Sequence, residues 1–223
     1  MLTNHWPLFG LRLRTPRLEL RLPDNEELAE LGELAARGVH DPASMPFTVP
    51  WTDLPPAERA RSVMQFTWRT LGNLTPEKWQ LPFAVFHEGR VVGLQEIGAQ
   101  DLSVTREVDT GSWLGRDHHG KGFGTEMRAA VLHLGFTGLG AQFATSGAFS
   151  DNLASQAVSR KLGYEPDGTT RLSVRGEPVT MYRLRLTRDR WRRTPHPGTT
   201  IEGLEPCLPL LGAIEPVAAA APR

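Results

Sequence analysis

The segment Gly115-Arg116-Asp117-His118-His119-Gly120-Lys121-Gly122-Phe123-Gly124-Thr125-Glu126 constrains this chain more than any other, because it runs from a strand end through glycines into a helix start. Glycines let backbone N–H groups approach an anion without Cβ obstruction, and a helix N-terminus adds a favourable dipole. The segment therefore reads as an anion cradle. The helix over Gly120 to Phe136 is signalled by Phe123, Met127, Ala130, Val131 and Leu134, which share one face. Two cradle designs are excluded. Gly115 to Lys121 satisfies G-x-x-x-x-G-K, but Gly122 follows where a nucleotide triphosphatase needs a Ser or Thr hydroxyl for magnesium. The dinucleotide fingerprint fails because Gly122-Phe123-Gly124 is followed by Thr125, Glu126 and Met127, and the loop follows antiparallel-type strands instead of opening a βαβ unit.

Around the cradle the pattern is mixed. Residues 17–22 alternate with Leu18, Leu20 and Leu22 on one face, a first strand. A helix over 24–38 follows, with Asp24 and Glu27 at capping-box spacing, Leu28, Leu31 and Leu34 as its stripe, and Gly38 as its stop. From His40 to Trp51 three prolines forbid regular structure while Met45, Phe47, Val49 and Trp51 keep the loop apolar. A second helix starts at Pro55-Pro56 and runs to about Leu74. Strands are expected over 81–87 and 90–100 about a Glu88-Gly89 turn, then over 105–114 and 141–149. Asn152 caps a helix through Leu162, and strands near 170–174 and 179–186 complete a mixed sheet. Residues 1–193 are expected to form a single domain. Residues 194–223, rich in proline and carrying an alanine run, read as a tail that docks through Ile201 to Leu211.

Composition narrows the function. With 223 residues, 39% hydrophobic and 22% charged, the chain has the makeup of a globular domain. Its 25 basic and 25 acidic side chains balance, so no net positive field favours nucleic acid. A single cysteine, Cys207, forms neither an intramolecular disulfide nor a thiolate metal site. No run approaches 18 apolar residues, so we expect a cytoplasmic protein with no membrane partner. His118 and His119 lack the companions of a metal site, and no metal is expected.

His119-Gly120-Lys121-Gly122-Phe123-Gly124 resembles the Gln/Arg-x-x-Gly-x-Gly/Ala loop of the GNAT superfamily of acyl-CoA-dependent N-acyltransferases, with His at the first position. Gly111-Ser112-Trp113-Leu114 is similar to the Gly-Tyr-Trp-Leu of RimJ/RimL-type members. Asn152-Leu153-Ala154-Ser155 with Lys161-Leu162-Gly163-Tyr164 resembles their second cofactor segment, and the element order agrees over roughly residues 14–187. His40-Asp41-Pro42 and Pro46-Phe47-Thr48-Val49-Pro50-Trp51 resemble an actinobacterial subset, some members of which use succinyl-CoA. The resemblance implies an α/β fold of mixed α+β character: a mainly antiparallel central sheet whose parallel strands splay to admit pantetheine, with helices on both faces. It implies acetyl-CoA or succinyl-CoA as donor, a primary amine as acceptor (protein N-terminus, lysine or small amine) and a homodimer, for which the apolar Leu204 to Leu211 offers a cover for a partner's edge strand.

The resemblance also assigns residues. Trp113, Leu114, His119, Gly120, Lys121, Gly122, Phe123, Gly124, Thr125, Asn152 and Ser155 would bind the cofactor, mainly through backbone amides, with a backbone N–H near Leu114 meeting the oxyanion. Many relatives carry a proton-donating Tyr seven residues after the Asn. Here that place is Ser159, so Ser155 is the acid candidate. Asp109 aligns with an acidic residue able to take the amine proton; a salt bridge to Arg106 or to another strand is the competing role, and Glu107 and Glu96 are weaker alternatives. His40, Asp41, Phe47 and Trp51 are candidates for the substrate pocket, against an Asx turn and simple packing. Lys121, Arg160 and Lys161 either reach phosphates or form a solvated face. The changed first loop position and the absent Tyr keep open a catalytically inactive acyl-CoA-binding or regulatory domain.

Overall fold

Alternating leucines turn the start of the chain into sheet: Leu18 and Leu20 are buried while Glu19 and Arg21 point the other way. In the computed structural model, which describes residues 1–213, nine strands join into one sheet. They are β1 (Arg12–Arg14), β2 (Leu18–Arg21), β3 (Lys78–His87), β4 (Arg90–Gln100), β5 (Glu107–Leu114), β6 (Phe143–Phe149), β7 (Glu165–Val174), β8 (Glu177–Thr187) and β9 (Thr200–Glu202). Their spatial order is β7-β8-β6-β5-β4-β3-β2-β1-β9. Every pairing is antiparallel except β5 with β6. The fold is thus the mixed, mainly antiparallel α/β architecture that the sequence led us to expect.

Helices cover both faces. The helices are α1 (Leu2–His5), α2 (Asn25–Arg37), α3 (Pro56–Gly72), α4 (Leu102–Thr105), α5 (Phe123–His133), α6 (Leu153–Lys161) and α7 (Arg188–Arg193). Asp24 and Glu27 form the reciprocal capping box of α2. Leu28, Leu31, Leu34 and Val63 of α2 and α3 pack with Ala84, Phe86 and Leu94 on one face. Met127, Val131 and Leu134 join Leu81, Phe83, Val85 and Ile97 on the other. Burial on both faces explains why β3 reads as a nearly continuous apolar run.

Several boundaries differ from the sequence reading: β3 starts at Lys78, β6 at Phe143 and β7 at Glu165, and three more lie at the ends of α5 and β5. Gly120 and Gly122 adopt φ of 73° and 82°, which an α-helix cannot contain, so the helix expected from Gly120 begins at Phe123. It gives way to a π-helical turn over Leu134–Gly138 before reaching its expected length. The strand expected from Thr105 starts at Glu107, because α4 and a left-handed Arg106 precede it.

The chain after Arg193 adds to the sheet. β9 pairs with β1, setting Ile201 opposite Leu13. Cys207 and Leu211 are fully buried, and the Trp79 indole Nε1 donates to the Leu211 carbonyl at 2.7 Å. Burial pushes the Cys207 thiol up to about 11, an inert group. The apolar stretch Leu204 to Leu211 therefore covers its own chain's core, which corrects its expected use against a partner's edge strand. The alanine run lies outside the described residues. No helix among the described residues is long and apolar enough to cross a membrane. Leu211→Ala is expected to cost about 2–5 kcal/mol in urea denaturation; a loss below about 0.5 kcal/mol would show that this segment is not part of the cooperative unit.

Candidate active site

The two halves of the sheet separate at one point. β5 and β6 pair only through Glu107 with Phe143, Val108 with Ala144 and Asp109 with Thr145. Beyond that, β5 stays on β4 as far as Leu114 while β6 stays on β8 as far as Phe149. The β5 edge past Asp109 is left without a strand partner, and the fork opens a cleft of about 1890 Å³. Ordinary small-molecule pockets span about 300–1,000 Å³, so this one has room for an extended ligand and a second reactant.

The glycine loop forms one end of the cleft. None of the amides of Gly120 to Gly124 finds an acceptor among the described residues, and they cluster at the N-terminus of α5. A buried carboxylate braces this geometry. Glu126 accepts from Thr15 Oγ1 at 2.7 Å, the Arg17 amide at 3.0 Å and Arg17 Nε at 2.7 Å, while Arg17 Nη1 reaches the Lys121 carbonyl at 3.0 Å. The His119 ring folds back and donates from Nε2 to the Leu114 carbonyl at 3.1 Å. Phe123 is buried against His87, and Lys121 points to solvent. Of the predicted loop residues, Gly120, Gly122, Gly124 and Thr125 line the cleft and the side chains of Lys121 and Phe123 do not. The loop's offer is its backbone.

Across the cleft the Asn152 side chain accepts from the Ser155 amide at 3.1 Å, capping α6 and holding both residues at the wall. Ser159 is buried and its Oγ accepts from Arg128 Nη1 at 2.9 Å.

The strongest chemical signal is a pair of carboxylates on one face of β4 and β5. Glu96 lies opposite Gly111 and Asp109 opposite Gly98. A Cβ on Gly111 would come within 2.9 Å of Glu96 Oε2, so the glycine makes room for the carboxylate. Burial, and then the charge of Asp109, push the Glu96 carboxyl up to about 7, against the opposing Gln80 hydrogen bond of 2.7 Å. Asp109 opens to solvent through the cleft, yet the protein around it raises its pKa above the ordinary aspartate value. The competing salt bridge is not formed: Arg106 reaches the Gly140 carbonyl at 3.4 Å, and Glu107 is taken by Arg185 at 2.7 Å. Glu96, ranked below Asp109 from sequence, has the more strongly raised carboxyl. A charged residue within the apolar run Val91 to Ala99, facing a cross-strand glycine, was the available signal.

An aromatic wall completes the site. Phe47 lies tilted against Trp51 with ring centroids 5.2 Å apart, and Trp51 against Trp113 at 5.7 Å. His40 is spent on the loop itself, its Nδ1 donating to the Asp41 carbonyl at 2.8 Å and its Nε2 meeting Thr52 Oγ1 at 2.7 Å. Asp41 Oδ1 accepts from the Ala43 amide at 3.0 Å, an Asx turn. Both border the cleft as structural residues. The loop is strapped to the β7–β8 hairpin by Arg175, whose Nε donates to Asp53 at 2.8 Å, and by Met45 packed on Phe149 and Val174.

A forked sheet, an amide cradle and a raised carboxylate define a protein built to bind an extended anionic ligand and move a proton beside it. The acetyltransferase (GNAT) domain model matches residues 17–165. The chain belongs to this family of acyl-CoA-dependent acyltransferases. Among solved structures, Mycobacterium smegmatis RimJ in complex with CoA-disulfide superposes with a TM-score of 0.64 at 18% identity, covering 91% of this chain and 95% of that one. RimL, a ribosomal L7/L12 alpha-N-protein acetyltransferase in complex with coenzyme A, gives 0.63 at 16% identity over 78% and 95%. A GNAT-family acetyltransferase from Bacillus anthracis gives 0.59 at 15% over 80% and 99%. At these identities the likeness is one of fold. The residues present fit coenzyme A, since the unpartnered amides suit a pyrophosphate and the open β5 edge suits an amide-bearing arm.

The Glu96 carboxyl is expected to titrate near 7 in carboxyl-resolved NMR, and Asp109→Asn, by removing a neighbouring negative charge, to lower that value. An unchanged midpoint in the variant would uncouple the pair.

Proposed function

We propose that the protein transfers an acyl group from acyl-CoA to a primary amine by direct attack in a ternary complex, with Glu96 and Asp109 receiving the amine proton. The observation that carries this reading is the placement of the Glu96 carboxyl beside the fork, against Gly111 and on the face of Asp109, where burial pushes its pKa up to about 7. A base of that strength suits an α-amino acceptor, which ionises near 7.7–8.0, better than a lysine near 10.4. A protein N-terminus or another α-amine is thus the acceptor favoured here. Backbone N–H groups on the open β5 edge would meet the thioester oxygen, and the amides of Gly120 to Gly124 the pyrophosphate. Ser155, at the first turn of α6, would donate a hydrogen bond to the departing sulfur. No nucleophilic side chain is needed, and the Cys207 thiol is buried at a distance in the C-terminal segment.

Calorimetry with acetyl-CoA, succinyl-CoA and free CoA, followed by turnover with an N-terminal peptide and a lysine peptide, tests the proposal. We expect binding of an acyl donor, preference for the α-amine, and a kcat/KM that, referred to the neutral amine, falls as pH drops below about 7, because protonated Glu96 is no base. Glu96→Gln should lower kcat by about 10²–10⁴-fold and leave donor affinity intact. Binding without turnover on any amine would identify an inactive acyl-CoA-binding domain. No binding at all would overturn the reading.

A further inference from the structure

The chemistry so far leaves Arg128 unused. This side chain of α5 borders the cleft and is 5% exposed. Its Nη1 donates to Ser159 Oγ at 2.9 Å and its Nη2 to Ser112 Oγ at 3.5 Å, while its Nε is buried without an acceptor. Both partners are neutral hydroxyls. Glu126, a nearby carboxylate on the same helix, is engaged by Arg17, and among the described residues no carboxylate pairs with Arg128. Tyr164 supplies no negative charge either, because burial raises its pKa and its hydroxyl lies 3.5 Å from Thr110 Oγ1. A guanidinium cannot shed its proton, and burying it without a counter-charge is strongly disfavoured. Such a group waits for an anion that arrives with the ligand.

Two coordinates say which anion. Arg128 lies one helical turn beyond Gly124, about 6 Å along the axis of α5 and away from the amides that suit a pyrophosphate. Alternation along β5 then puts Asp109 and Gly111 on the face of Glu96, and Thr110 and Ser112 on the opposite face with Arg128. The strand therefore separates the base from the cation. An amine adds to the carbonyl carbon from the side of its base, and the tetrahedral adduct bends its other substituents, the sulfur among them, toward the opposite wall. A carboxylate at the far end of a longer acyl chain would extend beyond the thioester, away from this position.

We propose that Arg128 is a catalytic residue that holds the negative charge of the departing coenzyme A sulfur, with Ser159 and Ser112 fixing its guanidinium plane. This rests on the acyl-CoA reading of the cleft. The amine nitrogen bonds to the carbonyl carbon and its surplus proton goes to Glu96. The carbon–sulfur bond breaks with its electron pair on sulfur, and the thiolate leaves beside Arg128 to take a proton later from water. A serine hydroxyl such as Ser155 is a weaker acid than a thiol, so it can hydrogen-bond the thiolate but does not neutralise it. Arg128 supplies the missing positive charge.

The test compares CoA with desulfo-CoA, which lacks the thiol, by calorimetry from about pH 6 to about pH 9; a free thiol ionises near 8.5. Titration of Glu96, Asp109 and Tyr164 that is common to both complexes cancels in the ratio of affinities, which therefore reports the sulfur. In the wild-type protein that ratio should rise about tenfold across the range, one unit of thiol pKa. Ultraviolet absorbance of the bound thiolate should titrate correspondingly below the free value. Arg128→Gln should flatten the ratio while keeping desulfo-CoA affinity within about twofold, and Arg128→Lys should restore part of the rise. A flat ratio in the wild-type protein, with both ligands bound, overturns the role of Arg128 alone and needs no variant. Equal loss of both ligands in Arg128→Gln makes the residue structural, and a loss confined to succinyl-CoA reassigns it to an acyl carboxylate; either result overturns the proposal. Failure of the wild-type protein to bind any of the ligands removes the acyl-CoA reading itself.

Discussion

The rest of the site depends on the parting of β5 from β6. Two parallel strands that pair over Glu107 to Asp109 and then diverge leave backbone groups without partners in the middle of a sheet. Unsatisfied backbone polar groups are costly when buried, so a fold retains such a gap where a ligand with its own amide groups completes the ladder. The same divergence gives one strand two chemically distinct walls. On one side stand two carboxylates made less acidic first by burial, then by the charge of Asp109 on Glu96 and of Glu107 on Asp109, and on the other a cation with neutral neighbours. A sheet that stayed closed would bring neither wall to a reactant.

Holding a gap open requires stiffness nearby. The Glu126 carboxylate, buried under Thr15 and Arg17, ties the start of α5 to the turn between β1 and β2. The Arg17 guanidinium also lies 4.9 Å from the centre of the Phe123 ring, so one side chain holds both the loop carbonyl at Lys121 and the first residue of the helix. The cradle's amides are thus held in place by the protein's own contacts, as preorganised binding demands. On the opposite flank the aromatic loop achieves order without regular structure, through the Asx turn at Asp41 and the His40 hydrogen bonds.

The elements were legible in the sequence wherever local chemistry decides them. The Asp24–Glu27 box, the Glu88-Gly89 turn and the Asn152 cap each follow from side chains acting within a few residues. Helix entry at Phe123 was misjudged because apolar periodicity extends through residues whose glycine dihedrals forbid it. The site was legible in outline and not in rank. Asp109 stood out as a charge in mid-strand, but the more strongly raised carboxyl is Glu96, whose pKa is lifted first by burial and then by the neighbour it meets only after β4 and β5 pair. Arg128 was invisible for the same reason: a basic residue in an amphipathic helix reads as surface until its partners, Ser112 and Ser159, arrive from two other elements.

The edge of the sheet has a consequence for how the molecule is made. β1 finds its outer partner only when Thr200–Glu202 arrives, and the Arg14 to Glu202 hydrogen bond joins residues 188 apart. A ribosome releases the chain from its N-terminus, so the outer edge of β1 stays open until residues 200–202 have emerged, long after β1 itself. Arg12 and Arg14, which flank Leu13, put positive charge along that waiting edge, and charged edges resist pairing with stray strands. The late strand acts as a seal on a sheet whose first strand is already in place.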